Sequence, residues 1–383
     1  MIVPLKYKPV NWVDGMKLSS AHFVDTDQHH QDLVRDARSL ALTSYNYGIL
    51  PPFTGQRSGY DIEIMEKATN HVEISVRVLN AITAEGNRID IDGAGGLQHQ
   101  LRYTHYFQEN SDGRIISYNV VLSVNPFERV PAGIPDPEDN PPRYPEVAKG
   151  YSISLLPTAA IAPKTADSNS LTIGQLHLSN GRITVNNNYM PPCSTVLSHP
   201  VLIRYYEQFS VLMNDLQLSA FTIIDKTTGK EAVTPLGKNI RLVSEKMLDY
   251  LAQVFFSYRN LGYQQPPVYL AQCFSGLAHV FFTGIKHIAA KEREEMLKYF
   301  YEWRDVTPGN FEELLARTIE LIYDHQDIYA SVSLIEEFLK VVTALWKKLS
   351  TLEYIGQRKE NIVVAEQQIV QQVQAKRTWT LLD

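Results

Sequence analysis

Cysteine is scarce in this sequence of 383 residues, which contains only Cys193 and Cys273. Neither belongs to a CxxC pair, so the sequence offers neither a disulfide framework nor a cysteine zinc site. Two isolated cysteines are typical of a protein that folds in a reducing compartment. We therefore expect both to pack in a core or at a domain boundary, and we predict a cytoplasmic protein.

Long apolar runs and an excess of positive charge are also missing. No run approaches the roughly 18 residues that a membrane span needs, and the first six residues lack the apolar region of a secretory signal. The net charge is -6, so no overall basic field attracts nucleic acid or anionic membrane. An apolar fraction of 44% and a charged fraction of 20% suit a globular protein. The length predicts two or three domains.

Catalytic signatures are absent: the sequence has no phosphate loop, dinucleotide fingerprint, nucleophile elbow or zinc-protease helix. The glycine cluster at 93–96 is not followed by Lys-Ser or Lys-Thr, and a turn between strands explains it better than a phosphate site. We predict that the protein is not an enzyme and binds no cofactor.

His22, His29 and His30 are the best candidates for metal ligands. On a helix His29 and His30 point about 100° apart, so they cannot share an ion as an i, i+4 pair would. Asp25 and Asp27 suit the start of a helix, where negative charge is favourable. We predict no metal site here, and solvated helix residues or a packed His22 instead.

Residues 1–198 are predicted to form a β-sandwich shell. Polar and apolar residues alternate in short runs such as 61–66, 71–79 and 115–124, as they do in half-buried strands. Turn signals separate these runs, including Glu85-Gly86-Asn87 and Ser179-Asn180-Gly181, and this arrangement is typical of a sandwich or barrel.

Two insertions interrupt the predicted shell. Residues 24–47 are predicted to be helical, with an apolar face formed by Leu33, Val34, Ala37, Leu40 and Ala41. Residues 126–147 contain seven prolines, which predicts a surface loop without regular structure. This loop is either a solvated connector or an arm that grips a partner.

Residues 199–350 are predicted to form a helical bundle, because the apolar period changes from two to about 3.6 after Pro191-Pro192-Cys193. Pro266 and Pro267 open one of its helices. The apolar faces are wider than one core needs, so we expect lateral association. Residues 351–383 are predicted to form a short tail with a polar helix and a terminal strand. The residues predicted to pack the bundle or its self-association interface are Tyr205, Phe209, Leu248, Leu251, Phe255, Phe274 and Phe281.

The opening stretch, residues 9–23, resembles the start of the TssK family, the trimeric baseplate subunit of type VI secretion systems. That family begins with a Val-x-Trp-x-Glu-Gly-Met/Leu-x-Leu-x-Pro-Gln-His-Phe pattern. Asp14 stands at the Glu position, whereas Ser20 and Ala21 replace Pro-Gln. The proline-led segment from Pro266 to Leu270, and Gly276-Leu277, is similar to a helix of the family's middle domain. The matching residues are Val10, Trp12, Gly15, Met16, Leu18, His22 and Phe23.

The resemblance implies a β-sandwich shell like that of phage receptor-binding proteins, followed by a helical domain that forms a homotrimer. It implies a structural role in the baseplate of a bacterial contractile injection machine, at the cytoplasmic face of the inner membrane. The implied partners are the wedge proteins TssF and TssG and a membrane complex or another envelope anchor. The family's C-terminal head, which docks on the membrane complex, is expected to be missing or reduced to residues 351–383. The residues expected to contact the wedge are Trp12, Asp14, Gly15, Met16, Leu18, His22 and Phe23.

Three alternatives remain open on the sequence. Trp12, Met16 and Phe23 could fill the core of the shell instead of binding the wedge. The protein could be a phage-like tail receptor-binding or adhesion protein with the same shell, which would bind a carbohydrate or a surface protein. A hydrolase with a β-sandwich and a helical lid would need a nucleophile and base, and the sequence shows no such pair.

Overall fold

The computed structural model describes residues 2–56, 58–92, 101–108, 114–160, 168–228 and 233–356. Contacts divide the chain into two compact units. The β unit holds the described residues of Met1–Arg204, with Tyr263–Val268 and Tyr323–Ala330. The helical unit holds those of Tyr205–Gly262, Tyr269–Ile322 and Ser331–Asp383. The predicted glycine turn at 93–96 and the predicted tail elements at 365–382 lie outside the described residues.

The first sheet of the β unit is built around one long strand. Strand β3 (His71–Ile82) pairs antiparallel with β1 (Gly48–Ile49), β2 (Tyr60–Ala68), β4 (Arg88–Ile91) and β5 (Leu101–Tyr106). The turn between β3 and β4 contains Gly86 at φ +92°, a left-handed conformation that suits glycine. The hairpin predicted at this turn is therefore confirmed.

The second sheet has the order β7-β6-β8-β9 and is also antiparallel. Its strands are β6 (Ile116–Ala132), β7 (Glu146–Pro157), β8 (Ser170–Ser179) and β9 (Arg182–Val185). The two sheets meet closely: the Tyr60 hydroxyl donates to the Ile173 carbonyl at 2.7 Å, and a Cβ at Gly174 would lie 2.9 Å from Ile64 Cδ1. The predicted β-sandwich is confirmed.

The proline-rich loop predicted at 126–147 is shorter than expected. Strand β6 continues to Ala132, and Val130–Ala132 pair with Glu146–Ala148 after an irregularity in the register. Beyond Ser123, β6 has no partner in β8, although the Val124 N–H still donates to the Asn169 carbonyl at 3.1 Å. Proline later in the strand therefore removes no ladder hydrogen bond on this edge. Residues 126–147 therefore include an extended two-stranded arm, and the predicted loop is confined to 133–145.

Helix α1 (Ser20–Ser39) replaces the helix predicted at 24–47. Its buried residues are Asp32, Arg35 and Ser39. Leu33, Val34 and Leu40 of the predicted apolar face are exposed. This face does not pack in the core, because α1 packs against polar backbone groups of the N-terminal segment, which an apolar face could not satisfy.

The helical unit contains three complete helices and most of three others, which begin in the β unit; the first of these is α2 (Pro200–Thr227). Its core is aromatic: Trp346 lies 4.9 Å from Phe281 between ring centroids, and its indole N–H donates to Ser244 Oγ at 2.9 Å. The predicted order of a β shell followed by helices is confirmed. The remaining helices are α3 (Pro235–Leu261), α4 (Val268–Lys286), α5 (Ala290–Arg304), α6 (Pro308–Ile319) and α7 (Ile328–Thr351).

Two details of the helical region differ from prediction. Helix α6 ends at Ile319, and Tyr323–Ala330 belong to the β unit although they lie within the range predicted as a helical bundle. Helix α4 has the length and composition of a membrane span, although no such run was expected. A buried core helix satisfies the same criteria, and nine α4 residues are buried.

The Pro191–Cys193 segment, predicted to mark a domain boundary, is part of the β unit. The Ile49 N–H donates to the Pro192 carbonyl, and the Ser194 N–H donates to the Ile49 carbonyl, both at 2.8 Å. Gly48 lies at φ +104°, and a Cβ there would lie 2.1 Å from the Pro192 oxygen. The segment is therefore packed into this unit, and the division by contacts falls after Arg204.

Candidate functional site

The residues of the opening motif form a compact turn on the surface of the β unit. The Met16 N–H donates to the Val13 carbonyl at 3.2 Å, and Gly15 lies at φ +78°. Such a turn favours glycine at its third position, because other residues are strained at positive φ. No ladder pairs the residues on either side, so this stretch forms a turn and not a β-hairpin.

The start of α1 follows this turn and carries the histidine of the motif. The Ser19 N–H donates to His22 Nδ1 at 3.2 Å, so the imidazole satisfies a backbone group at the helix N-terminus. The Trp12 ring lies 6.0 Å from His22 and 6.3 Å from Phe23, between ring centroids. Tryptophan, histidine and phenylalanine of the motif therefore form one aromatic cluster.

The aromatic cluster is open to solvent. Trp12 is 50% exposed and Phe23 is 57% exposed, and Val13 and Leu18 are also exposed. Met16 and His22 are half-buried. We call this surface, formed by Trp12, Val13, Met16, Leu18, His22 and Phe23, the Trp12 surface. Trp12 and Phe23 do not fill the shell core, which excludes that alternative for these two residues.

A buried ion pair holds the N-terminal segment in place. Arg35 Nε donates to Asp32 Oδ1 at 2.8 Å, with only 1% of the Asp32 side chain exposed. Asp32 Oδ2 accepts the backbone N–H groups of Lys6 and Tyr7, and Arg35 Nη2 donates to the Val3 carbonyl at 3.2 Å. We call this arrangement the Asp32 latch. It fixes residues 3–7, the segment that precedes Trp12 in the chain.

Electrostatics favour the ionised form of the latch carboxylate. Burial by itself raises the pKa of Asp32, but hydrogen bonds from the Tyr7 and Lys6 N–H groups and from Arg35 outweigh it and lower the pKa. The charge of Asp32 is therefore retained at neutral pH. This latch was not recognised in the sequence, because an i, i+3 charged pair in a polar helix usually marks a solvated face.

The N-terminal segment also contacts the base of the β6–β7 arm. The Tyr7 ring lies 4.5 Å from the Phe127 ring between centroids, and Lys6 Nζ lies 5.4 Å from each ring. His29 Nδ1 lies 3.0 Å from the Tyr7 carbonyl oxygen. The segment is thus held between α1 and the arm, within the β unit.

The histidines considered as candidate metal ligands have structural contacts. His22 contacts the Ser19 backbone, His29 contacts the Tyr7 backbone, and the His30 ring lies 5.9 Å from that of His29. Within the described part of the chain no group of three His, Cys, Asp or Glu side chains could hold a metal ion. Cys193 and Cys273 are both buried, as predicted, and burial raises the pKa of each thiol.

The residues predicted to pack the bundle lie mostly inside the helical unit. Leu248 and Phe255 are half-buried. The other five are buried in a single chain, so they are not available to a second copy: Tyr205, Phe209, Leu251, Phe274 and Phe281.

An exposed apolar line on α2 was missed in the sequence. Val211, Leu218 and Phe221 are 59%, 65% and 47% exposed, and their spacings of seven and three residues place them on one side of the helix. We call these three residues the α2 seam. Its 3.5-residue period was the available signal, but the stronger buried face of the same helix hid it.

A second missed feature is a cavity of about 790 Å³ in the β unit. Its rim combines tyrosines with amide side chains from segments far apart in sequence, which no local pattern could group. The Tyr45 and Tyr323 rings pack edge to face, with 6.3 Å between their centroids. His325 Nε2 lies 3.0 Å from the Tyr47 carbonyl oxygen. The tyrosines that line it are Tyr45, Tyr47, Tyr189, Tyr323 and Tyr329.

Comparison with known proteins gives similarity in structure but not in sequence. No protein-family model matches the chain, and no curated protein is significantly similar to it. A crystal structure of TssK is similar with a TM-score of 0.50 and 13% identity, covering 89% of this chain and 72% of that one.

Two structures of assemblies are also similar. A baseplate complex from the type VI secretion system gives a TM-score of 0.49 at 12% identity, covering 89% of this chain and 99% of the other. A TssK-TssF-TssG baseplate subcomplex gives a TM-score of 0.41 at 14% identity, covering 88% of this chain and 100% of the other. The likeness to the TssK crystal structure shows that this chain has a TssK-like fold.

Proposed function

We propose that this protein is a non-enzymatic structural subunit of a type VI secretion baseplate. The exposed Trp12 surface on a TssK-like fold is the observation that carries the proposal. In this role the protein binds the wedge proteins TssF and TssG and links them towards the cell envelope. It acts in the cytoplasm, at the inner face of the inner membrane.

The Trp12 surface has the properties of a partner-binding anchor. Tryptophan is enriched among the residues that dominate interface energies, and its exposed ring loses contact with water on binding. The turn fixes the backbone beside the ring and the Asp32 latch fixes the segment before it, which lowers the entropy that association costs. We infer that the wedge covers Trp12, Leu18 and Phe23. Asp14 and Gly15 form the turn that presents them, and Met16 and His22 support it.

Replacement of Trp12 by Ala tests this proposal. We expect wedge co-purification to fall at least tenfold, because the loss of an aromatic hot spot costs roughly 2 kcal/mol or more. Stability of the isolated chain should change by less than about 1 kcal/mol, because half of the ring is already in water. Tyr106→Ala, at another exposed aromatic residue of the β unit, is the matched control. A folded Trp12→Ala variant that binds the wedge fully would refute the proposed contact.

We also propose that the protein is a homotrimer that associates through the α2 seam. Spacings of seven and three residues correspond to the heptad positions through which helices pack against copies of themselves in coiled coils. The seam is exposed in a single chain, whereas the residues first predicted to mediate association are largely buried. The support for self-association is therefore on α2, and the number of copies follows the family resemblance.

Light scattering at micromolar concentration tests the trimer. We expect three times the chain mass of 43.5 kDa. Leu218→Glu should shift the mass to that of the monomer, because burying three unpaired carboxylates in the seam costs free energy. The helical unit should stay folded, because Leu218 is exposed in the single chain. Phe256→Glu, at an exposed residue of α3, should remain a trimer. A wild-type monomer would exclude the proposed assembly.

A second candidate function is carbohydrate binding by a receptor-binding or adhesion protein. The tyrosine-lined cavity favours it, because aromatic faces and amide side chains together suit sugar rings. Glycan-array binding that is lost in Tyr323→Ala would support this function. Recovery of wedge proteins from cytosol, with no glycan bound, would support the baseplate role.

A further inference from the structure

A cationic cavity lies in the β unit between α1, the β3–β4 turn and β7. Its volume is about 290 Å³, and Arg35, Arg38, Arg88 and Lys149 line it. We call it the Arg35 cavity. The four residues come from three separate elements, so their convergence is a product of the fold and not of a local run of charge.

One guanidinium nitrogen at this cavity has no partner. Arg35 is 5% exposed, and its Nε and Nη2 atoms serve the Asp32 latch. Its Nη1 atom is buried and has no hydrogen-bond partner within the described ranges. A buried donor without an acceptor costs free energy, so the latch satisfies the Arg35 guanidinium only in part.

The other cations are held close together by backbone contacts. Arg88 Nη1 donates to the Ala81 carbonyl at 3.0 Å, and Lys149 Nζ donates to the Arg88 carbonyl at 2.9 Å. Burial lowers the pKa of both Arg88 and Lys149, and repulsion by Arg38 lowers each further. Their charged forms are therefore under strain that an anion would relieve.

The charge balance of the site favours an anion. Two carboxylates are paired with the four cations: Asp32 contacts Arg35, and Asp90 lies 3.8 Å from Arg88. Glu85, at the same turn, accepts a hydrogen bond from the Ser168 hydroxyl and adds a third negative charge. The cations still outnumber these carboxylates.

The wall of the cavity is held in place by close packing. Gly86 lies at φ +92°, and a Cβ at this position would lie 2.5 Å from the Arg35 carbonyl oxygen. The β3–β4 turn therefore lies directly against α1. This contact sets the distance between Arg35 on the helix and Arg88 beside the turn.

We propose that the Arg35 cavity binds a phosphate group, either as free phosphate or as the end of a phosphate monoester. Guanidinium groups bind phosphate oxygens through charge-assisted hydrogen bonds, and Arg38 lines the cavity with Lys149 as a further charge. A bound phosphate would tie α1 to the first sheet, next to the Asp32 latch.

Equilibrium dialysis of the full chain against radiolabelled inorganic phosphate tests the proposal, with chloride keeping the ionic strength constant. We expect saturable binding of one phosphate per chain. Arg38→Gln and Lys149→Met should each weaken it about tenfold or more, because each removes a charge-assisted contact. Both side chains are at least partly exposed, so both variants should fold, which circular dichroism would verify.

Arg143→Gln is the matched control, because it removes one positive charge from the β unit at an exposed side chain in the 133–145 loop. Equal weakening in this control, non-saturable uptake, or unchanged binding in Arg38→Gln would overturn the proposal. Competition by glycerol 3-phosphate separates the two sources. Competition tighter than by inorganic phosphate identifies a monoester ligand, and weaker competition identifies free phosphate.

Discussion

Helices α1 and α2 pack onto the protein by opposite chemistry. Helix α1 buries Asp32 and Arg35 and exposes Leu33 and Val34, whereas α2 buries apolar residues such as Leu216. Both nevertheless carry exposed apolar residues, Phe23 on one and Leu218 on the other. An amphipathic pattern therefore identifies an apolar face, but it does not establish that this face is the buried one.

The difference follows from what each helix packs against. Helix α1 meets the backbone of residues 3–7, whose N–H and C=O groups need polar partners once they leave water. Helix α2 meets side chains such as Tyr258 and Phe274, which stabilise by apolar burial and ring packing. The exposed apolar residues of both helices are then free for other chains, and we assign them to the wedge and to self-association.

The largest contrast should come from a matched pair of leucines. Leu216→Ala on α2 should cost about 2–5 kcal/mol, because it leaves a cavity in a packed core. Leu33→Ala on α1 should change stability by less than about 0.5 kcal/mol, because that side chain is already exposed. Urea unfolding measures both, and equal losses would contradict the assignment of faces.

The Asp32 latch should be the most stabilising contact that α1 makes. Asp32→Asn should destabilise the β unit by about 3 kcal/mol, because it leaves the Arg35 charge buried without its partner. Hydrogen exchange should show faster exchange at the Lys6 and Tyr7 amides. Asp36→Asn, on the same helix, is the control, and similar loss of protection there would argue against a specific latch.

Acid should weaken the latch but not the packing of α2. The pKa of Asp32 is lowered in the folded protein, so its contribution is complete above the unfolded value of about 3.9 and is lost as the pH falls through the lower folded value. The stability difference between the wild type and Asp32→Asn should be constant from pH 7 to about 5 and then shrink below about pH 4. A difference that shrinks near pH 6 would mean that another group titrates.

Periodicity predicted the regular elements well where an element packs against neighbours of one chemical type. The alternation in 61–66 and 71–79 corresponds to β2 and β3, and the helical spacing around Phe209 corresponds to the buried face of α2. Periodicity failed where contacts with residues distant in the sequence determine the local structure. The β6–β7 arm tolerates Pro131 because that edge of β6 is unpaired, and residues 323–330 leave the helical region because their contacts lie in the β unit.

The candidate site also has features that the sequence reveals and features that it does not. The motif with Trp12, Gly15 and Phe23 is visible in the sequence, and its resemblance to the TssK family agrees with the TssK-like fold. Its exposure is not visible, because a tryptophan among apolar residues is equally consistent with a core. The α2 seam and the tyrosine-lined cavity were missed, since one is hidden by a stronger pattern and the other joins segments far apart in the chain.

The sequence by itself determined the types of most elements, their order from strands to helices, and the turn at Gly15. These depend on short-range causes, namely side-chain period and the conformational freedom of glycine. Only the tertiary structure decided that Trp12 faces water, that Asp32 and Arg35 are buried, and that Arg35, Arg88 and Lys149 surround one cavity. Burial and charge balance depend on which distant groups meet, and no local pattern specifies those partners.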